Sequence, residues 1–169
     1  CMFLSPTNQA AKEALAWQKV AEQLKQTDSS SLNDNLNKIL QPVKRSESVN
    51  TFRRLAQVID DHSTDGSWLI GRAHLFAGVA YILAAQTALT NRKTEDARQF
   101  CLSASENFVK ASRYLSSWER KSVLRWASQI KRIADKLEAE PFYAMTHLKA
   151  LLVKAKAHAR FVPPVAQGR

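Results

Sequence analysis

The chain has 169 residues, of which 45% are hydrophobic, and this length and composition are typical of one globular domain with a sizeable core. Four glycines and five prolines are few for a protein of many tight turns, which disfavours a β-sandwich or barrel. The formal net charge of +10 is uneven: residues 101–169 contain 13 Lys and Arg against 5 Asp and Glu, and residues 1–100 contain 12 against 10. Such a basic half favours an acidic partner, although a solvated surface has the same composition.

The first third of the chain is predicted to form three amphipathic helices. The first covers residues 8–26 and ends in the polar turn TDSSSLNDN. A short helix is expected over 32–40, before Pro42, and a third over 48–61, where apolar residues recur every three or four positions.

Residues 73–91, AHLFAGVAYILAAQTALTN, contain no charged side chain, which suggests a membrane span, a buried helix or a binding surface. A span needs about 20 mostly apolar residues. The uninterrupted apolar part here, residues 75–85, is only 11 long. We therefore expect the central helix of a soluble bundle, surrounded by at least two other helices, with a membrane span disfavoured. Exposure of Phe76, Val79 and Leu83 together would contradict this.

Four longer helices are predicted from residue 67 onwards. Thr94 is a candidate N-cap of the second of them. Ser116 and Glu119 have capping-box spacing at the start of the third, and Pro141 suits the first turn of the fourth.

The connections between these helices are short, so successive helices should pack antiparallel. The sequence predicts an all-α fold, an antiparallel helical bundle of about six helices. We expect a single domain over residues 1–162, within which residues 1–45 dock loosely because their apolar content is lower. Residues 163–169 are expected to form a disordered tail.

Five residues in two of these helices have the spacing of a known repeat: Gly78, Tyr81, Ala104, Phe108 and Ala111. The first two match the Gly-x-x-Tyr of the first helix of a tetratricopeptide (TPR) repeat, and the others match the Ala-x-x-x-Phe-x-x-Ala of its second helix. Residues 67–115 thus resemble a TPR-like hairpin with extended helices, about 14 residues longer than a standard repeat allows. The resemblance implies a protein-binding scaffold rather than an enzyme.

No catalytic, cofactor-binding or metal-binding constellation is evident in the sequence. The one acidic cluster surrounds a loop and is interpreted as a hydrated helix end: Asp60, Asp61, His62 and Asp65. His147 and His158 lie 11 residues apart, about 16 Å along one helix, which is too far to share a metal. Cys101 is expected to be a reduced core thiol. We therefore predict a non-enzymatic protein without a cofactor.

Two basic stripes are predicted on the last two helices, each opposite an apolar face. The cationic side chains are Lys121, Arg125, Arg132 and Lys136 on the first of these helices, and Lys149, Lys156 and Arg160 on the second. The apolar faces are Val123, Ala127, Ile130, Ala134 and Leu137 on the first, and Met145, Leu148, Leu152, Ala155 and Ala159 on the second. If the two helices are antiparallel neighbours, the stripes could merge into one basic surface.

These features predict an interaction or scaffold module that binds another protein, or a second copy of itself, through a basic C-terminal surface. The alternative is a nucleic-acid-binding module that uses the same helices, although no recognised nucleic-acid-binding motif is present. No secretory signal or transit peptide is visible, so an intracellular location, cytoplasmic or nuclear, is expected. Cys1 in the first position leaves open a processed, lipidated or truncated terminus.

Overall fold

The computed structural model describes residues 8–62 and 66–161, with the side chains of Ser29 and of residues 59–62 excepted. In chain order its helices are α1 (Gln9–Gln26), α2 (Leu32–Ile39), α3 (Ser48–His62), α4 (Ser67–Thr90), α5 (Thr94–Ser112), α6 (Ser117–Lys136) and α7 (Pro141–Arg160). Short 3₁₀ turns lie at Ser29–Ser31 and Gln41–Val43. The all-α fold is confirmed, with seven α-helices in these ranges where about six were predicted. The acidic side chains around His62 and the predicted tail lie outside the described residues.

Helix α4 is the centre of the bundle, as predicted. It packs against α1, α5, α7 and α3, and its buried residues lie on every side of its axis. Phe76 is buried and Val79 is half-buried, but Leu83 is exposed at 44%. In the described part of the chain, α4 alone is long and apolar enough to cross a membrane, and 83% of its most apolar window is buried inside the protein. The protein's own helices therefore occupy most of the apolar surface of α4.

Small residues let α5 approach α4 closely. A Cβ atom placed on Gly78 would lie 2.5 Å from the ring of Phe108, so a glycine is required where the two helices meet. Ala104 and Ala111 are fully buried on the same side of α5. Tyr81 is buried at this junction, where its ring stacks on that of Phe100 with centroids 6.2 Å apart.

Helix α1 lies along the other side of α4. Trp17 is fully buried, and its ring stacks on Phe76 with centroids 4.8 Å apart. The side-chain amide of Asn8 donates a hydrogen bond to the carbonyl of Ala84, and its Oδ1 caps α1 by accepting from the backbone of Ala11. The start of α1 is thus fixed near the end of α4, so the two helices run antiparallel.

The helix boundaries correct two predictions. Thr94 is the first helical residue of α5 rather than its N-cap, because Lys93 already occupies that position after a turn in which Arg92 has φ 60°. Ser116 is the N-cap of α6, as predicted, but its side chain accepts no hydrogen bond from the backbone of the first turn. Instead the Ser116 hydroxyl donates to a carboxylate oxygen of Glu119, at 2.8 Å, and Glu119 points into the core.

Candidate functional site

The predicted cationic side chains of α6 and α7 lie at the surface. Six of them are exposed and one, Lys136, is half-buried: Lys121, Arg125, Arg132, Lys136, Lys149, Lys156 and Arg160. The predicted apolar face of α6 is fully buried, and that of α7 is buried or half-buried. Trp126 packs in the core as well, 5.9 Å from the ring of Phe108. Both helices therefore have the amphipathic orientation expected of them.

One residue of each predicted stripe, Arg132 on α6 and Lys149 on α7, lines a hollow, and the two hollows are different. Arg132 lines a hollow between α6 and α7 together with His147 and Lys154. Lys149 lines another hollow, between α7 and the end of α4, beside Met145. Lys154, which was not in the predicted set, is thus the α7 lysine that shares a hollow with the α6 stripe.

The outer face of α7 combines cations with exposed apolar side chains. At 100° per residue, five residues fall within about 60° of one another on this helix. We call them the α7 face: Phe142, Lys149, Val153, Lys156 and Arg160. Phe142 is 91% exposed and Val153 is 69% exposed, although both are large and apolar.

Among the described acidic residues, none pairs with a cation of the α7 face. Helix α7 contains no Asp or Glu. Among the described residues, none of Lys149, Lys156 and Arg160 forms an ion pair, whereas Lys136 pairs with Glu140 at 3.9 Å. The α7 face therefore presents uncompensated positive charge next to apolar area, which a partner would cover.

A buried ionic cluster, which was not predicted from the sequence, joins three helices. Arg72 of α4 is fully buried and forms an ion pair and hydrogen bond with Glu119 of α6, which is 1% exposed. Its guanidinium also donates to the carbonyls of His158, at 2.6 Å, and Ala159, at 3.3 Å. These carbonyls lie at the C-terminal end of α7, where a cation is favoured by the helix dipole. Arg72 thus fixes the end of α7 against α4.

The remaining contacts of this cluster hold Glu119 in its charged form. Nε2 of His158 donates to Oε1 of Glu119 at 3.0 Å, and the ring of Trp68 lies 4.5 Å from the Arg72 guanidinium. Burial alone would raise the pKa of Glu119, but the hydrogen bond from His158, the charge of Arg72 and the hydrogen bond from Ser116 lower it below its ordinary value. Burial lowers the pKa of Arg72 to about 10, against the opposing effect of Glu119, so Arg72 stays protonated near neutral pH. The cluster links α4, α6 and α7 through paired charges and hydrogen bonds.

One signal in the sequence pointed to this cluster. Arg72 directly precedes the uncharged stretch on a helix that was expected to be surrounded, so its charge needed a buried partner. The identity of that partner was not visible, because Glu119 and His158 lie 47 and 86 positions further along the chain.

A metal-binding cluster or a reactive thiol would indicate an active site. No group of three or more His, Cys, Asp or Glu side chains that could hold a metal occurs among the described residues. Cys101 is a free, buried thiol, as predicted, and burial raises its pKa to about 12, so it is not a reactive thiolate. Comparison with protein-family models, curated proteins and solved structures finds no match to this chain.

Proposed function

We propose that this protein is a non-enzymatic interaction module whose α7 face binds an acidic, amphipathic segment of another protein. The observation that carries the proposal is the exposure of Phe142 and Val153 on the same face as unpaired cations. Covering such exposed apolar side chains with a partner stabilises the complex by about 25 cal/mol for each Å² of apolar surface buried. The cations add attraction at long range and select partners of negative charge.

The proposal of a scaffold protein also rests on the hairpin of α4 and α5, in which the spacing of small and aromatic residues resembles that of a TPR repeat. The contact between Gly78 and Phe108 supports that comparison, because a small residue of one helix meets an aromatic residue of the next. In this proposal the hairpin is the rigid scaffold, and α6 and α7 carry the binding surface. A second copy of the chain that presents an acidic surface is one candidate partner.

Nucleic acid is the alternative partner for the same cations. Phosphate groups would engage Lys149, Lys156 and Arg160, but the aliphatic side chain of Val153 gains little from a phosphate backbone. The mixed character of the α7 face therefore favours a protein segment over a duplex. Salt dependence separates the two, because affinity for a duplex falls steeply with salt in proportion to the phosphates neutralised.

A binding experiment with two labelled probes tests the proposal. The probes are a short amphipathic peptide of Glu and Leu and a DNA duplex of similar length, each titrated by fluorescence anisotropy at several salt concentrations. We expect the peptide to bind at physiological ionic strength, and the duplex to bind only at low salt. Peptide binding that is absent even at low salt would overturn the proposal, and a duplex that binds more tightly at every salt concentration would favour the alternative.

A charge-matched pair of variants locates the binding surface. The test variant carries Lys149→Glu, Lys156→Glu and Arg160→Glu, and the control carries Lys12→Glu, Lys44→Glu and Arg54→Glu, which are exposed residues elsewhere. Both lower the net charge equally. We expect the test variant to lose about tenfold or more in peptide affinity and the control to retain most of it. Equal losses would mean that net charge alone, rather than the α7 face, attracts the peptide.

A further inference from the structure

A cavity of about 580 Å³ lies between α1, α2, the Gln41–Val43 turn, α4 and α5. Its volume is within the range of small-molecule sites. Leu15, Ile39 and Pro42 contribute apolar surface to its lining, and the buried imidazole of His74 forms part of the wall. We call it the His74 cavity. It is separate from the α7 face and shares no residue with it.

Three lysines of the lining are available to an anion. Lys19, Lys38 and Lys110 form no ion pair with any described residue. The one acidic residue of the lining, Glu22, is already paired with Lys25 at 3.0 Å. The cavity therefore combines an apolar interior with an excess of positive charge.

The hydrogen bonds around His74 fix which ring nitrogen carries the proton. The amide nitrogen of Asn107 donates to Oε1 of Gln18 and to the carbonyl of Ser103, both at 2.9 Å, so its Oδ1 is the atom that faces His74. Because Oδ1 only accepts, Nδ1 of His74, at 3.0 Å, must be the donor. Burial has the largest effect on the pKa of His74 and lowers it. The hydrogen bond with Asn107 and the charge of Glu22 oppose this, the charges of Lys25 and Lys110 act with it, and the net shift is downward. The ring is therefore neutral near pH 7 and its Nε2 is an acceptor.

That acceptor has no partner in the described structure. His74 is 1% exposed, and its Nε2 is buried without a hydrogen bond. Buried polar atoms are nearly always paired, since an unmade hydrogen bond is costly, so an orphaned acceptor on a residue that lines a cavity points to a missing donor. Because Nε2 is covered by neighbouring atoms, these must move aside for a donor in the cavity to reach it. The apolar lining, the unpaired lysines and the unpartnered acceptor together specify the chemistry of a ligand.

We propose that the His74 cavity binds a small organic anion with an apolar body, whose negative group contacts the lysines and whose hydroxyl donates to Nε2 of His74. A hydrophobic body fills the space beside Leu15 and Ile39. This site is independent of the proposed protein-binding surface, so the failure of either proposal leaves the other standing.

Three matched probes separate the contributions to binding: 6-hydroxy-2-naphthoate, 2-naphthoate without the hydroxyl, and 2-naphthol without the carboxylate. Each is titrated into the isotopically labelled full chain and followed by NMR chemical shifts. We expect 6-hydroxy-2-naphthoate to bind with a Kd on the order of 0.1–1 mM and the other two to bind about fivefold or more weakly. The shifts should centre on His74, Lys110 and Gln18. Shifts centred on α7, equal affinities for the three probes, or no saturable shift would overturn the proposal.

Variants of the lining complete the test. Lys19→Gln, Lys38→Gln and Lys110→Gln together should remove the preference for the carboxylate over 2-naphthol, whereas Lys93→Gln, Lys121→Gln and Lys131→Gln, at exposed positions outside the cavity lining, should leave it unchanged. His74→Phe should remove the preference for the hydroxyl. Because His74 is buried, His74→Phe is interpreted only if circular dichroism shows an intact helical fold, and otherwise the lysine variants and the three probes decide the outcome.

Discussion

Positive charge serves opposite purposes in two regions of this molecule. Arg72 is fully buried at the meeting point of α4, α6 and α7, where its guanidinium contacts Glu119, the carbonyl of His158 and the ring of Trp68. Lys149, Lys156 and Arg160 lie on the outer face of α7, exposed and without a carboxylate among the described residues. Arg72 therefore stabilises the fold, whereas the α7 face is free to contact a partner.

The difference shows that composition alone does not assign a role to a basic residue. Both regions belong to the excess of Lys and Arg in the chain, but burial separates them. A buried cation without its partner is very costly, while an exposed cation contributes little to stability. Substitutions in the two regions should therefore differ in both kind and size of effect.

The largest expected effect is on stability, from Arg72→Met. This substitution removes the charge that pairs with buried Glu119 and leaves two carbonyls of α7 without their donor. We expect the free energy of unfolding, measured by urea denaturation, to fall by about 3–5 kcal/mol. In the double variant Arg72→Met, Glu119→Met no buried charge remains, so part of the loss should be recovered.

Arg98→Met is the matched control for that substitution. Arg98 pairs with Glu95 at 3.6 Å on the surface of α5, and both side chains are exposed. Its loss should cost less than about 1 kcal/mol. If Arg72→Met costs no more than Arg98→Met, the buried cluster does not stabilise the fold as described.

A smaller loss of stability is expected from Gly78→Ala, which tests the close approach of α4 and α5. The new Cβ would lie 2.5 Å from the rigid ring of Phe108, so the helices must separate, at a cost of about 1–3 kcal/mol. At Gly71 the nearest atom is a terminal methyl carbon of Leu115, at 2.9 Å, so Gly71→Ala should cost less. Thermal unfolding compares the two variants, and a lower stability of Gly71→Ala than of Gly78→Ala would contradict this packing.

The cluster also predicts a dependence of stability on acid. The pKa of Glu119 is lowered in the folded protein, so its charge contributes stability that is fully present above its unfolded pKa of about 4.3 and is lost as the pH falls through the folded value. The stability advantage of the native chain over Glu119→Gln should therefore shrink below about pH 4, by at most about 1.4 kcal/mol per pH unit. Denaturation curves at a series of pH values measure this difference, and a constant advantage down to low pH would contradict it.

The smallest expected effect on stability is at the α7 face. Lys149→Glu with Lys156→Glu removes no buried contact and no ion pair, so the free energy of unfolding should change by only about 0.5 kcal/mol. The same variant should nevertheless bind the acidic peptide poorly. A large loss of stability would show that these lysines stabilise the fold.

Much of the fold followed from sequence because helical periodicity is local. The apolar face of α6, from Val123 to Leu137, and the central position of α4 could be inferred from spacing alone. The Arg72 cluster and the hydrogen bonds of His74 could not, because they join residues from helices far apart in the chain. The exposure of Phe142 and Val153 was missed for a related reason, since which apolar residues of α7 find neighbours depends on how α6 and α4 pack against it.

The affinity of the acidic peptide for Phe142→Ala, Val153→Ala tests the central claim most directly. This variant keeps every cation of the α7 face and removes only its apolar side chains, which lie outside the core. At physiological ionic strength we predict an affinity about tenfold lower than that of the native chain, because apolar contact is lost while charge is not. An unchanged affinity would contradict the account, since it would mean that charge alone attracts the peptide.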